Sequence, residues 1–134
     1  MRRCSFLLVI LCAAVIDSPA ELPPSAYQER QAKAPEALVI KVRSVKTQQT
    51  REPTVTVTEF TVEAEVEKVE RSATRLAPGG IIKIVYSRRE YSEPLVGPSE
   101  VPVLKEGQTY PAYLSRKGDT YEPVAGGYSF ATVR

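Results

Sequence analysis

Tyrosine and arginine residues cluster at the end of an apolar run near the middle of this sequence, where they could bind a ligand. Tyr86 ends the run, Arg88 and Arg89 follow, and Tyr91 lies two residues further on. Aromatic rings stack on flat ligand surfaces while guanidinium groups bind their polar atoms, and small β-barrels use such side chains on a sheet face. Tyr86, Arg88, Arg89 and Tyr91 are therefore the candidate ligand-binding residues.

The tyrosines also have a purely structural interpretation. Tyr86, Tyr110 and Tyr121 could fill the ends of a barrel, with buried rings and hydroxyl groups in water, which is common behaviour for tyrosine. The formal net charge is only +2 for 134 residues. Because nucleic acid is bound through a strong positive field, this near-neutral charge favours the structural interpretation, and we expect no nucleic-acid partner.

Catalytic groups are scarce in this composition. The sequence has no histidine, and its two cysteines, Cys4 and Cys12, lie near the N-terminus. The commonest general base, thiol nucleophile and zinc ligands are thus missing from the rest of the chain. Glu63, Glu65 and Glu67 share one face of a predicted strand, but their alternation with apolar residues is typical of a solvated sheet face. The sequence predicts no catalytic residues, no metal site and no cofactor.

Residues 1–20 have the three parts of a secretory signal peptide. Arg2 and Arg3 give a positive start, an apolar run covers 6–16, and small residues precede Ala20. The run is shorter than the roughly 20 residues that a membrane-spanning helix needs. We expect cleavage after Ala20, which removes both cysteines and delivers a secreted or periplasmic chain without stable membrane insertion.

Residues 21–36 have the composition of a flexible linker that precedes a folded domain over 37–134. Pro23, Pro24 and Pro35 interrupt a polar stretch that has no sustained apolar period. Such a stretch buries too little surface to offset the entropy of ordering. We therefore predict a linker followed by one domain.

Short alternating apolar runs after this linker predict an all-β domain. The predicted strands cover 38–43, 54–69, 81–86, 108–115 and 120–124, and a short closing strand is predicted over 128–133. The apolar phase of the second strand changes near Thr58 and Glu59, which predicts a bulge or bend there. Five strands in this arrangement suit a small Greek-key barrel of the OB type.

The end of the second strand has a helical alternative. Val62, Val66 and Val69 are spaced by three or four residues, and Glu67 could pair with Arg71 at helical spacing. Because β-branched residues dominate the preceding part, we predict strand to about Val69. A turn or a short helix is then predicted over 70–76.

Four short motifs follow one another in this region: Val66-Glu67-Lys68-Val69, Gly79-Gly80, Ile82-Lys83-Ile84, and Leu104-Lys105-Glu106-Gly107-Gln108-Thr109-Tyr110. Their order resembles the netrin-type (NTR) module, the OB-fold of tissue inhibitors of metalloproteinases, netrins and complement proteins, over about residues 37–124. The family's disulfide cysteines are absent here, and no cysteine stands at the expected mature N-terminus to chelate a metalloproteinase zinc. The resemblance therefore implies the fold and not that inhibition.

Residues 87–107 form a long predicted loop, and we expect the partner to bind there, since loops of this length are usually functional or disordered. The leading hypothesis is an exported, non-enzymatic binding module that contacts a protein or an envelope polymer through this loop. Two alternatives stay open. One is a carbohydrate- or small-ligand-binding barrel that uses the four residues named first, and the other is a structural subunit of an envelope assembly.

Overall fold

A computed structural model of the protein describes residues 22–93 and 100–133. Its elements are α1 (Pro24–Lys33), β1 (Glu36–Arg51), β2 (Val55–Ser72), β3 (Ile81–Tyr91), β4 (Thr109–Lys117), β5 (Thr120–Pro123) and a 3-10 turn (Gly126–Tyr128). The strands close into one barrel in the order β1-β2-β3-β5-β4, and β1 also pairs with β4. The predicted all-β, five-stranded OB-like barrel is confirmed. The predicted signal peptide and its cleavage site after Ala20 lie outside the described residues.

The period-two pattern of the strands fills the barrel interior. On β3, Ile82, Ile84 and Tyr86 are buried, and they pack in the core with apolar residues that alternate along β1, β2 and β4. On the outer face of β2, Glu65 is partly exposed and forms an ion pair with Arg43. The glutamates of this strand thus lie on the outer face, as their alternation indicates.

No bulge forms near Thr58 and Glu59, where the sequence predicts a bulge or a bend. Thr58 pairs in regular register with both neighbouring strands. The register between β1 and β2 shifts instead where Glu67, Glu70 and Arg43 are left unpaired. The half-exposed valines at the start of β2 lie beyond the buried core. Their spacing therefore does not indicate which face of the strand is buried.

No helix forms over 70–76, where the sequence predicts a short helix or a turn. β2 continues to Ser72 because it pairs there with the first residues of β1. A turn follows, in which the N–H of Thr74 donates to Glu36 Oε1 at 3.0 Å and the N–H of Leu76 donates to Ser72 Oγ at 2.9 Å. These acceptors satisfy backbone donors that a helix would otherwise satisfy internally.

The predicted linker contains a helix, α1, that is fixed to the barrel, so the expectation of a flexible segment is wrong. Tyr27 is buried, and its ring centroid lies 4.6 Å from that of Tyr128. The amide of Gln31 donates to the carbonyl oxygens of Tyr128 and Ala131, both at 2.8 Å. Pro24 at the first helical position is a start signal that the linker interpretation overlooks.

Gln31→Ala should lower the free energy of unfolding by about 1–2 kcal/mol, because both hydrogen bonds from α1 to the C-terminal segment are lost. Urea titration followed by circular dichroism measures this change. Gln28→Ala is the matched control on the same helix, since Gln28 is exposed, and we expect a change of at most about 0.5 kcal/mol. Equal losses in the two variants would contradict a role of Gln31 in fixing the helix.

The closing strand predicted over 128–133 does not form, and the chain makes a 3-10 turn instead. Gly126 has φ of +53°, a left-handed conformation that favours glycine. Ser129 then donates through its hydroxyl to Gly126 O at 2.8 Å and accepts from the N–H of Ala125 at 3.0 Å. This local network turns the chain so that Phe130 enters the core.

Candidate functional site

Three strands extend beyond the barrel that they help to close. β4 pairs with β1 only over Glu36–Lys41, and β5 pairs with β3 at Ile84. Further along, β2 pairs with residues 46–51 of β1 through 56–61 and with residues 87–91 of β3 through 55–59. We call this three-stranded sheet the arm. The predicted loop over 87–107 is therefore strand in its first part, because β2 supplies a partner up to Tyr91.

The four candidate ligand-binding residues lie on opposite faces of this sheet. Successive side chains of a strand alternate between faces. Tyr86 and Arg88 continue the face that fills the barrel, whereas Arg89 and Tyr91 lie on the reverse face. The structure therefore does not bring all four side chains onto one surface.

Tyr86 belongs to the core. It is 6% exposed, and its ring stacks on Phe60 with centroids 5.0 Å apart and planes 11° apart. Its hydroxyl donates to Pro102 O at 3.0 Å. Burial raises the pKa of Tyr86 above its usual value, which keeps the hydroxyl protonated as a donor. The buried ring cannot stack on a ligand, so the structural interpretation describes this residue better.

The hydroxyl groups of Tyr110 and Tyr121, the other two tyrosines of the structural interpretation, also form hydrogen bonds within the protein. The Tyr121 hydroxyl lies 2.8 Å from Thr74 Oγ1, and the Tyr110 hydroxyl accepts from the N–H of Lys105 at 3.1 Å. Both hydroxyl groups thus have a protein partner, the Tyr110 bond at an exposed position and the Tyr121 bond at a half-buried one. These partners are the Thr74 side chain in the turn after β2 and the Lys105 backbone in the loop before β4.

Arg88 and Arg89 both contact the carboxylate of Glu100, Arg88 through its side chain and Arg89 through its backbone. Arg88 Nε lies 3.4 Å from Glu100 Oε2, and the backbone N–H of Arg89 donates to Glu100 Oε1 at 3.3 Å. A depression of about 330 Å³ lies beside them, lined by Thr58, Phe60, Arg88, Arg89, Glu90 and Glu100. The Arg89 side chain lies on the reverse face, so the charged side chains beside the depression are Arg88, Glu90 and Glu100, which do not favour an anion. Sequence reasoning misses Glu100, because no local spacing connects it with Arg88.

The last part of the predicted loop is packed against the barrel. Leu104 is buried in the core, and the N–H of Gly107 donates to Val42 O at 2.8 Å. Residues 94–99 of the predicted loop lie outside the described residues. Among the residues of the 87–107 segment that the structure describes, two large apolar side chains are exposed, Tyr91 at 41% and Val103 at 46%.

The surface chemistry gives no sign of a metal centre. Within 22–93 and 100–133, no group of three carboxylate, thiol or imidazole side chains is placed to hold a metal ion. No helix in the same part of the chain has the length and apolar content to cross a membrane.

The chain matches no family model, no curated protein and no solved structure. Its function has to be inferred from its own surface. Sequence reasoning identifies Tyr91 as a surface group but misses Val103, whose exposure depends on how the segment around Leu104 enters the core.

Proposed function

We propose that this protein is an exported, non-enzymatic module of the netrin type that binds another protein through the 87–107 segment. The observation that supports this most is the pair of exposed apolar side chains, Tyr91 and Val103, in one segment. Among the described residues only one further large apolar side chain, Ile81, is comparably exposed. Aromatic and apolar anchors with a charged rim are typical of protein interfaces.

The framework around these anchors also supports protein binding. Tyr91 lies on a strand that is paired along its length with β2. Val103 directly precedes the buried Leu104 and follows Pro102, whose carbonyl oxygen accepts from Tyr86. Because the backbone at these positions is already fixed, little backbone entropy is lost when a partner binds, which favours affinity.

Carbohydrate binding is the second candidate function, and the depression beside Arg88 favours it. Its lining carries hydroxyl, guanidinium and carboxylate groups, which can bond to sugar hydroxyls. Tyr86 is buried and takes no part in such a site, and Phe60, the aromatic residue of this lining among the described residues, is itself buried in the core. A sugar would therefore lack the exposed stacking surface that the sequence predicts at Tyr86.

Site-specific photo-crosslinking in cells that produce and export the protein tests these proposals. A photoreactive side chain at position 91 or 103 should form a covalent adduct with the partner protein. The double variant Tyr91→Ser, Val103→Ser should then bind this partner more than about tenfold more weakly. Ile81→Ser is the matched control, because Ile81 is an equally exposed apolar residue outside the segment. Full binding by the double variant, or a glycan ligand lost on Arg88→Ala, would overturn the proposal.

A further inference from the structure

The outer edge of β1 is covered for part of its length and then left open. The backbone of Val42 is bonded on this edge to Gly107 and Gln108, at 2.8 and 2.9 Å. The N–H of Val45 donates to the carboxylate of Glu106 at 3.1 Å. Beyond Val45, no described residue pairs with this edge. The open part of the edge is residues 46–51.

The alternation of an antiparallel strand identifies the groups on this open edge. Since the N–H of Val45 points away from β2, the N–H and C=O groups of Thr47, Gln49 and Arg51 point the same way. No described residue bonds to these groups on that side, and all the side chains of 46–51 are exposed. They form a row of donors and acceptors spaced by roughly 6.7 Å, the repeat of two strand residues.

Two outward amides, one just before the open edge and one on the opposite edge strand, are capped by side chains. Glu106 accepts from Val45 on the β1 edge, and Glu100 accepts from Arg89 on the β3 edge. Such caps prevent unwanted pairing of sheet edges. No described residue caps the edge at 46–51 in this way, so its N–H and C=O groups can pair with an added strand.

The charge of β1 indicates what kind of strand fits. Basic residues occur four times between 37 and 51, with no acidic residue among them: Lys41, Arg43, Lys46 and Arg51. Arg43 is paired with Glu65, whereas Lys46 and Arg51 form no ion pair with a described residue. Because they are five positions apart, they lie on opposite faces of the strand, roughly 17 Å from each other along it.

We infer that the edge of β1 at residues 46–51 binds an extended acidic segment of a partner protein by antiparallel strand addition. Opposite residues of such a pair lie close together, so carboxylates five positions apart in the partner would meet Lys46 and Arg51 on the two faces. A second copy of this chain fits less well, because its edge would bring the same two positive charges. This surface is separate from the proposed contact at Tyr91, which lies on the opposite edge strand of the arm.

Amide hydrogen exchange of the purified protein, measured by NMR, tests the inference with a defined probe. The probe is a ten-residue peptide of alternating threonine and valine with two glutamates five positions apart. We expect its binding to slow exchange at Thr47, Gln49 and Arg51 by at least about tenfold, whereas Gln48 and Thr50, which already face β2, should not change. The same peptide with glutamines should bind severalfold more weakly.

Two substitutions at one position separate backbone pairing from side-chain contact. Gln49→Pro removes one outward N–H without removing a bond to β2, and we expect about tenfold weaker peptide binding. Gln49→Ala keeps the N–H and should bind like the unaltered protein. Three results would overturn the inference. The first is equal peptide binding by the proline variant, and the second is no slowing of amide exchange in the unaltered protein. The third is a dimer in sedimentation analysis whose amides at 46–51 are protected before the peptide is added.

The exchange pattern of the unaltered protein decides the question even if Gln49→Pro does not fold. Tyr91→Ser should leave peptide binding unchanged, because Tyr91 lies on the third strand of the arm. If Tyr91→Ser no longer binds the crosslinked partner but still binds the peptide, the protein has two separate contact surfaces. Loss of peptide binding in Tyr91→Ser would contradict binding at the β1 edge.

Discussion

Tyr86→Ala should lower the free energy of unfolding by about 3–5 kcal/mol, the usual cost of truncating a buried aromatic residue. The ring of Tyr86 stacks on Phe60 and lies 6.2 Å from Phe130, between centroids. Its removal leaves a cavity where three aromatic rings meet at one end of the barrel. It also takes the hydroxyl donor from Pro102 O, which holds the 100–104 segment against β3. We expect this variant to lose much of its stability and, through the released segment, part of its partner binding.

Tyr91→Ala is the matched control, because it truncates the same residue type on the same strand at an exposed position. Its free energy of unfolding should change by no more than about 0.5–1 kcal/mol. Urea unfolding followed by circular dichroism compares the two variants directly. If Tyr86→Ala kept full stability and lost a carbohydrate ligand, Tyr86 would be a binding residue and its assignment to the core would be wrong.

The barrel could be predicted from sequence because its strands have one buried face. Ile82, Ile84 and Tyr86 repeat with period two, and all three are buried on β3. A one-residue shift would expose this whole set, so the pattern determines both the element and its orientation. The predicted order of five strands therefore describes the closed barrel well.

The limits of the barrel could not be predicted, because long-range pairing sets them. β1 and β2 continue as the arm after β4 has turned away at Lys41. Val55 and Val57 are half-exposed there, so their phase carries no information about a core. The helix α1 is missed for a related reason. Its main anchor, Tyr27, packs on Tyr128 near the other end of the chain, and one buried residue produces no apolar period.

The candidate site could be predicted only in part. Strand alternation places Tyr86 and Arg88 on one face and Arg89 and Tyr91 on the other. The sequence predicts a loop from residue 87, so this division follows only from the pairing that extends β3 to Tyr91. The link between Arg88 and Glu100 could not be predicted, since it depends on the path of a segment without regular structure. Tyr91 remains in the proposed contact surface, and Val103 joins it because both side chains are exposed.

Glu36 differs from these surface groups, because its carboxyl is fully buried. Its Oε1 accepts from the N–H of Thr74 at 3.0 Å and from the Thr74 hydroxyl at 2.9 Å. That hydroxyl lies 2.8 Å from the Tyr121 hydroxyl. The Oε2 atom of Glu36 has no hydrogen-bond partner among the described residues. One oxygen of Glu36 therefore holds the turn between β2 and β3, next to Arg75, which has a left-handed φ of +60°.

Glu36→Ala should lower the free energy of unfolding by about 3–5 kcal/mol, since it leaves a cavity and two polar groups of Thr74 without their acceptor. Glu36→Gln is the matched control, because it keeps an acceptor oxygen for Thr74 and nearly the same volume, and its cost should stay below about 1 kcal/mol. Thermal unfolding by calorimetry and exchange of the Thr74 amide measure both. Since Oε2 contributes no hydrogen bond to a described residue, replacing it should matter less than losing the acceptor Oε1. Equal losses in the two variants would show that the carboxylate itself, and not the bond to Thr74, stabilises the turn.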